Sequence, residues 1–153
     1  MVSTTVTTDS IQKQIVLRAT PVRVWRALSS AREFGTWFGV EFHDDFVPGA
    51  TVHGKVVYEG KDMAFTFHIE RMESERLMAF RWHPFAVDPA IDYAREPTTL
   101  VELTLAPASG GTLLTVTESG FDQIPLARRA RAFEMNSHGW AEQMQNIARH
   151  VDA

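Results

Sequence analysis

The end of the chain carries an apolar stripe at helical spacing. Its members recur at steps of four, three and four, with one more a heptad earlier: Phe133, Trp140, Met144, Ile147 and Val151. This spacing predicts an amphipathic helix over residues 126–151, and its apolar side has to be covered by another element. Nearly everything between residues 41 and 119 alternates with a period of two, so the expected cover is a curved antiparallel sheet.

Helix signals follow a first strand near the start of the chain. Residues 11–19 alternate well enough for a strand. Thr20 is a good N-cap residue, and Pro21 suits the first helical position because its missing N–H would have no partner there. Ser30 is expected to cap a second short helix that ends in an aromatic turn at residues 35–39.

The central part of the sequence predicts a meander of about six strands. Turn residues such as Pro48-Gly49 and Gly110-Gly111 separate runs that alternate apolar and polar side chains. The expected strands are residues 41–47, 51–59, 63–72, 77–83, 98–106 and 112–119. One strand, two short helices, about six strands and a long helix make an α+β fold, with about seven strands in all.

Length and composition limit the class of protein. The 153 residues and 44% apolar composition fit one domain over residues 11–153 after a disordered tail at residues 1–10. The chain lacks cysteine, a secretory signal and any run long enough to span a membrane, which favours a cytoplasmic location. A net charge of −4 argues against nucleic-acid binding. The basic cluster Arg128-Arg129-Arg131 is interpreted as a solvated helix face.

Several segments together resemble a known family. They are residues 19–28, the Trp37-Phe38-Gly39 turn, residues 76–82, residues 110–121 and the Gly139-Trp140 pair. The chain resembles the family named after the C-terminal domain of the activator of the heat-shock-protein-90 ATPase, within the START or SRPBCC superfamily. The resemblance implies a helix-grip fold, in which a bent sheet wraps the C-terminal helix. It also implies a cavity of the kind that related domains use for hydrophobic ligands, and no shared set of catalytic residues.

The strand and helix faces predict a wall for such a cavity. The sheet is expected to contribute Phe65, Phe67, Phe80, Trp82, Leu103 and Val116, the helices Trp37, Phe38, Trp140 and Met144. The same side chains can instead fill the core and leave no void. The long segment 84–97 is expected to form a lid over the mouth of the cavity, with Ile91 or Tyr93 turned inward.

Glu118 is the single most informative polar residue. Strand alternation places it on the inner face after Leu114 and Val116. A buried carboxylate has to be paired or hydrogen bonded, and Arg81 or His83 across the sheet are the expected partners. Three roles remain open for it: a rim residue that reaches water, a polar anchor for a ligand, or an acid–base group.

Other chemistry has little support in the sequence. The six histidines form neither H-x-H nor H-E-x-x-H, so no metal site and no cofactor are predicted. Asp44-Asp45 is expected to lie in a solvated loop. The sequence contains no Gly-x-Ser-x-Gly motif and no cysteine nucleophile.

These observations leave three functions open. The first is the binding of a small hydrophobic molecule between sheet and C-terminal helix, without turnover. The second is a protein-interaction module, as in the chaperone activator after which the family is named, with a chaperone partner and a link to the stress response. The third is an enzyme resembling polyketide cyclases, in which Glu118 and Tyr58, Tyr93 or His83 would move protons. The chain is expected to be a monomer or a homodimer.

Overall fold

The computed structural model describes residues 8–152. Within these residues, three α-helices and seven strands occur in the order β1 Ser10–Leu17, α1 Pro21–Ser29, α2 Ala31–Phe38, β2 Glu41–Phe42, β3 Thr51–Tyr58, β4 Lys61–Glu73, β5 Leu77–Trp82, β6 Thr99–Ala108, β7 Gly111–Ser119 and α3 Leu126–Val151. Two short 3₁₀ turns are also present: Tyr93–Arg95 lies between β5 and β6, and Phe121–Gln123 lies between β7 and α3.

All seven strands belong to one antiparallel sheet. Its order is β1-β7-β6-β5-β4-β3-β2, so the first strand crosses over to pair with the last one. The β4–β5 pairing shifts register between Ile69 and Arg71, and such a bulge increases strand bending. The sheet is curved and carries the long helix α3, which confirms the predicted α+β helix-grip architecture.

Helix α3 buries the predicted stripe. Trp140, Met144, Ile147 and Val151 are all buried, and Phe133 packs edge-on against Phe121 with ring centroids 5.2 Å apart. Burial alternates along β7 as expected, with Leu114, Val116 and Glu118 on the inner face.

The two short helices begin where their capping residues predict. The Thr20 hydroxyl oxygen accepts a hydrogen bond from the Arg23 backbone N–H at 3.3 Å, and the Ser30 hydroxyl oxygen accepts one from Glu33 at 3.3 Å. Helix α2 is longer than predicted, because it continues through Phe38 and ends at Gly39 in the left-handed conformation. Trp37 and Phe38 therefore lie on a helix, and the expected aromatic turn at 35–39 is wrong.

The strand predicted over residues 41–47 is also wrong in length. Only Glu41–Phe42 pairs with β3. The chain then leaves the sheet and brings Phe46 into the core, where its ring lies 4.9 Å from that of Phe42. Burial of one more aromatic side chain thus replaces further strand pairing.

Residues near the N-terminus are attached to the fold from residue 8 onward. Ser10 is the first residue of β1, and the Thr8 hydroxyl donates to the Asp122 carboxylate at 3.0 Å. Of the tail predicted for residues 1–10, residues 1–7 lie outside the described part of the chain. Among the helices of residues 8–152, none combines the length and apolar character that a membrane crossing requires.

Candidate functional site: an aromatic cleft and a buried carboxylate

Most of the predicted cavity wall is packed as core. Phe67 and Phe80 stack face to face, with centroids 4.0 Å apart and planes inclined by 5°. Phe34, which was not among the predicted wall residues, lies against both of these rings at 5.8 and 6.2 Å. The other wall residues in this packed interior are Trp37, Leu103, Val116, Trp140 and Met144, all buried, and the half-buried Phe38. Aromatic side chains thus occupy the space between sheet and helices.

The remaining predicted wall residues line an open cleft at the end of the sheet. Phe65, Trp82 and Tyr93 border a space of about 350 Å³ between the β3–β4 hairpin and the segment 84–97. Phe65 leans over Gly54 of β3, where even a Cβ would lie 2.4 Å from the phenyl ring. A second cleft of about 440 Å³ adjoins the first. The two share Ala64, Ala86 and Tyr93.

The segment 84–97 is held in place by Arg128 of α3. Its Nη1 donates to the Pro84 carbonyl at 2.6 Å and its Nε donates to Glu96 Oε1 at 2.8 Å, so one guanidinium binds both ends of the segment. Nη2 lies 2.7 Å from the same carboxylate oxygen without hydrogen-bond alignment, so Coulombic attraction carries that contact. Both side chains are only 15% exposed. The interpretation of Arg128 as part of a solvated face is therefore wrong.

Of the two residues expected to turn inward, Ile91 and Tyr93, it is Tyr93 that does so. Its ring lies under the Arg128 guanidinium at 4.8 Å, a cation–π distance, and its hydroxyl oxygen accepts a hydrogen bond from the Asp88 backbone at 3.0 Å. Ile91 borders the second cleft but remains 40% exposed. The segment thus covers one side of both clefts.

Glu118 lies in the interior, close to the floor of the first cleft. Its side chain is inaccessible to solvent, so its role as a rim residue is excluded. Oε2 accepts hydrogen bonds from Thr99 Oγ1 at 2.6 Å and Trp82 Nε1 at 2.7 Å, and Oε1 accepts one from Trp140 Nε1 at 2.8 Å. Asn136 Nδ2 donates to both oxygens at 3.1 and 3.2 Å. Every partner is a donor, which suits an ionised carboxylate.

The expected partners of Glu118 are wrong. Arg81 lies on the other face of β5 and pairs with Glu70 at 3.3 Å. His83 donates from Nε2 to the Glu96 carbonyl oxygen at 3.1 Å. Strand alternation explains the difference, since Trp82 between them is the β5 residue that points to the inner face.

Burial raises the pKa of Glu118, and the hydrogen bonds from Thr99, Trp82, Trp140 and Asn136 lower it again in part. The carboxylate links β7 to β5, β6 and α3 through these donors. With its acceptor positions occupied, it is arranged to hold the sheet and the helix together, and no acceptor position is left over for a substrate proton.

Three histidines border the first cleft: His43, His53 and His83. Nδ1 of His53 lies 3.3 Å from Asp44 Oδ2, and that oxygen also accepts the His53 backbone N–H at 3.1 Å. These two hydrogen bonds lower the pKa of Asp44. Asp44 is half exposed, as a solvated loop predicts, but it also orients a cleft residue. Within residues 8–152, no three His, Cys, Asp or Glu side chains are arranged to hold a metal ion.

Sequence reasoning missed several of these residues. Thr99 and Asn136 carry no motif, and their positions beside Glu118 depend on how β6 and α3 pack. The fixed spacing of Trp82 and Trp140 within apolar stripes indicated only their burial. For Arg128 a signal did exist. Segment 84–97 carries three acidic residues and one basic residue, and a carboxylate that becomes buried against the fold needs a cationic partner.

Comparison with known proteins supports the same architecture. The family model described as Activator of Hsp90 ATPase homolog 1-like protein matches residues 18–152. Among the curated proteins, the sequence finds no match.

Several solved structures share the fold at low sequence identity. Protein CV1439 from Chromobacterium violaceum aligns with a TM-score of 0.75 and 22% identity, over 95% of this chain and 98% of that one. Protein MLL2253 from Mesorhizobium loti aligns with a TM-score of 0.73 and 19% identity, over 94% and 96%. The Aha1 dimer from Colwellia psychrerythraea aligns with a TM-score of 0.70 and 14% identity, over 94% and 96%.

The hydrogen bonds of Glu118 predict a marked effect of Glu118→Gln on stability. The amide nitrogen of glutamine is a donor that faces N–H donors, so at least one buried donor loses its acceptor. We expect the free energy of unfolding to fall by about 1–3 kcal/mol, measured by urea denaturation. Glu102→Gln, on the neighbouring strand β6, is the control and should change stability by less than about 0.5 kcal/mol. Equal effects of the two substitutions would contradict the assigned role.

The contacts of Arg128 predict that Arg128→Ala loosens the segment 84–97. Loss of the bonds to Pro84 and Glu96 should increase amide hydrogen exchange in residues 86–96 by about tenfold, because a lost charge-assisted contact is worth about 1.5 kcal/mol or more. Mass spectrometry of deuterated peptides gives the measurement. Arg95→Ala serves as the control, since that side chain is 90% exposed. Unchanged exchange in Arg128→Ala would contradict the role of Arg128 in holding segment 84–97.

Proposed function

This chain belongs to the Activator of Hsp90 ATPase homolog 1-like family, and we propose that it binds a small, largely aromatic molecule in the cleft between the β3–β4 hairpin and segment 84–97. The observation that carries the proposal is the lining of that cleft. Phe65, Trp82 and Tyr93 present aromatic surface to a space that is open to solvent. Aromatic walls with a few polar groups are typical of small-molecule sites.

The size of the cleft favours a ligand of one or two rings. A volume of about 350 Å³ lies at the lower end of the range for small-molecule sites. The adjoining cleft extends the space past Ala64 and Ala86, so a longer ligand has room beside Met63 and Ile91.

The floor of the cleft is rigid. The indole of Trp82 is fixed by its 2.7 Å hydrogen bond to the buried Glu118, and its ring packs 5.5 Å from Phe67 and 5.8 Å from Trp140. A fixed aromatic surface favours binding, because little side-chain freedom is lost when a ligand stacks on it. This proposal moves the site from the centre of the fold, where the sequence predicted it, to the open end of the sheet.

The segment 84–97 is proposed to act as the wall that adjusts to the ligand. Its hydrogen bonds to the rest of the fold lie at its two ends, where Arg128 binds Pro84 and Glu96 and His83 binds the Glu96 carbonyl, whereas Ile91 and Asp88 in its middle are exposed. A segment held at few points opens at lower cost than the core strands do. Ligand entry therefore needs no separation of α3 from the sheet.

The two other functions stay predictions. An interaction module needs an exposed contact surface, and the related Aha1 protein from Colwellia psychrerythraea forms a dimer in its solution structure. An enzyme that uses Glu118 would have to release this carboxylate from its four donors before each proton transfer. The binding of a small molecule requires no such change.

Calorimetric titration with 2-naphthol tests the proposal. We expect saturable binding by the unmodified protein and a dissociation constant at least about tenfold weaker in Ala64→Trp, because the new indole occupies the cleft where its two parts join. Ala64 is exposed, so the substitution leaves the core unchanged.

Val57→Trp on the same hairpin is the matched control. Val57 is exposed and borders neither cleft, so this variant should bind 2-naphthol like the unmodified protein. If the unmodified protein does not bind the probe, or if Ala64→Trp binds it equally well, the proposed site is refuted.

A further inference from the structure

Two histidines on the cleft have their ring tautomers set by neighbours that can only accept. Nδ1 of His53 faces the Asp44 carboxylate at 3.3 Å, so in the neutral ring Nδ1 carries the proton. Nε2 of His83 faces the Glu96 backbone carbonyl at 3.1 Å, so in the neutral ring Nε2 carries it. The other nitrogen of each ring is then an acceptor.

These two acceptors have no internal use. Among residues 8–152, neither Nε2 of His53 nor Nδ1 of His83 is hydrogen bonded, and both rings border the same cleft. His53 is 64% exposed. The cleft thus combines an aromatic floor with ring nitrogens that can accept a hydrogen bond. Asp44 and Glu96, which lie outside the floor, hold the two histidines in these tautomers.

We infer that the cleft selects aromatic molecules that carry a hydroxyl group, which donates its proton in a hydrogen bond to His53 or His83. This inference rests on the proposed binding function and adds the chemical class of the ligand. The aromatic body lies against Phe65 and Trp82, and the O–H meets a ring nitrogen. An ether of the same shape supplies no proton, so it leaves a desolvated acceptor unpaired.

The charged residues around His53 and His83 favour an uncharged ligand that donates a hydrogen bond. The Asp44 carboxylate faces His53, Glu41 lies 3.9 Å from His43, and Lys55 lies 3.9 Å from Glu41. On the other side, Glu96 is paired with Arg128. Carboxylates outnumber unpaired cations here, so an anionic ligand gains no net attraction, whereas a hydroxyl group requires no counter-charge.

A comparison of 2-naphthol with 2-methoxynaphthalene tests the inference. At pH 8, where an ordinary imidazole is neutral, we expect the unmodified protein to bind the naphthol about fivefold more tightly, the value of one net hydrogen bond. In the double variant His53→Phe/His83→Phe this preference should disappear, while binding of the ether persists. That persistence also shows that the variant keeps its cleft.

His68→Phe is the matched control. His68 lies on β4 beside Thr51 and Glu70 and borders neither cleft, so the preference should remain fivefold. Equal binding of the two probes to the unmodified protein overturns the inference and leaves the proposed function standing. A preference that survives the double variant also overturns it. If neither probe binds, the proposed function fails together with the inference.

Nitrogen-15 NMR of the histidine rings provides a test without substitutions. We expect His53 with the proton on Nδ1 and His83 with the proton on Nε2. Addition of 2-naphthol should move the resonance of at least one unprotonated ring nitrogen in the direction of hydrogen bonding, and 2-methoxynaphthalene should not. The opposite tautomers in both rings, or identical responses to the two probes, would contradict the inference.

Discussion

The carboxylate of Glu118 is the interaction on which the rest of the structure depends. A buried charge is tolerated only when its hydrogen bonds are complete. Here the donors come from β5, β6 and α3, while Glu118 itself lies on β7. One side chain therefore fixes three strands relative to the long helix, and a helix rotated about its axis would lose Trp140 and Asn136 as partners at once. Apolar packing supplies the bulk of the stability, and this network selects one arrangement.

The packed interior explains why the accessible space lies at the edge of the sheet. Phe34 brings helix α2 into contact with Phe67 and Phe80, and Gln143 of α3 donates to the Phe38 carbonyl at 2.9 Å. These contacts fill the region where the sequence suggested a cavity. The cleft begins where the core ends, at Trp82, whose indole belongs to both. The indole of Trp82 thus belongs both to the hydrogen-bond network of Glu118 and to the proposed binding surface.

Local patterns predicted the architecture because they act over short distances. The stripe on α3, the caps at Thr20 and Ser30 and the inward position of Glu118 all follow from periodicity or from one hydrogen bond. The site could not be predicted in the same way, since it consists of contacts between distant segments. The sequence suggests that the side chain of Arg128 is solvated. It binds both ends of segment 84–97 only because that segment folds back against α3.

Exchange of the tryptophan indole protons with solvent tests the central claim most directly. Nuclear magnetic resonance separates the four indole N–H groups. With Glu118 as the internal acceptor, the protons of Trp82 and Trp140 should exchange slowly, as should that of Trp37, which donates to the Ala27 carbonyl at 2.9 Å. The half-buried Trp25 gives the fast reference. Exchange at Trp82 and Trp140 as fast as at Trp25 would contradict the account.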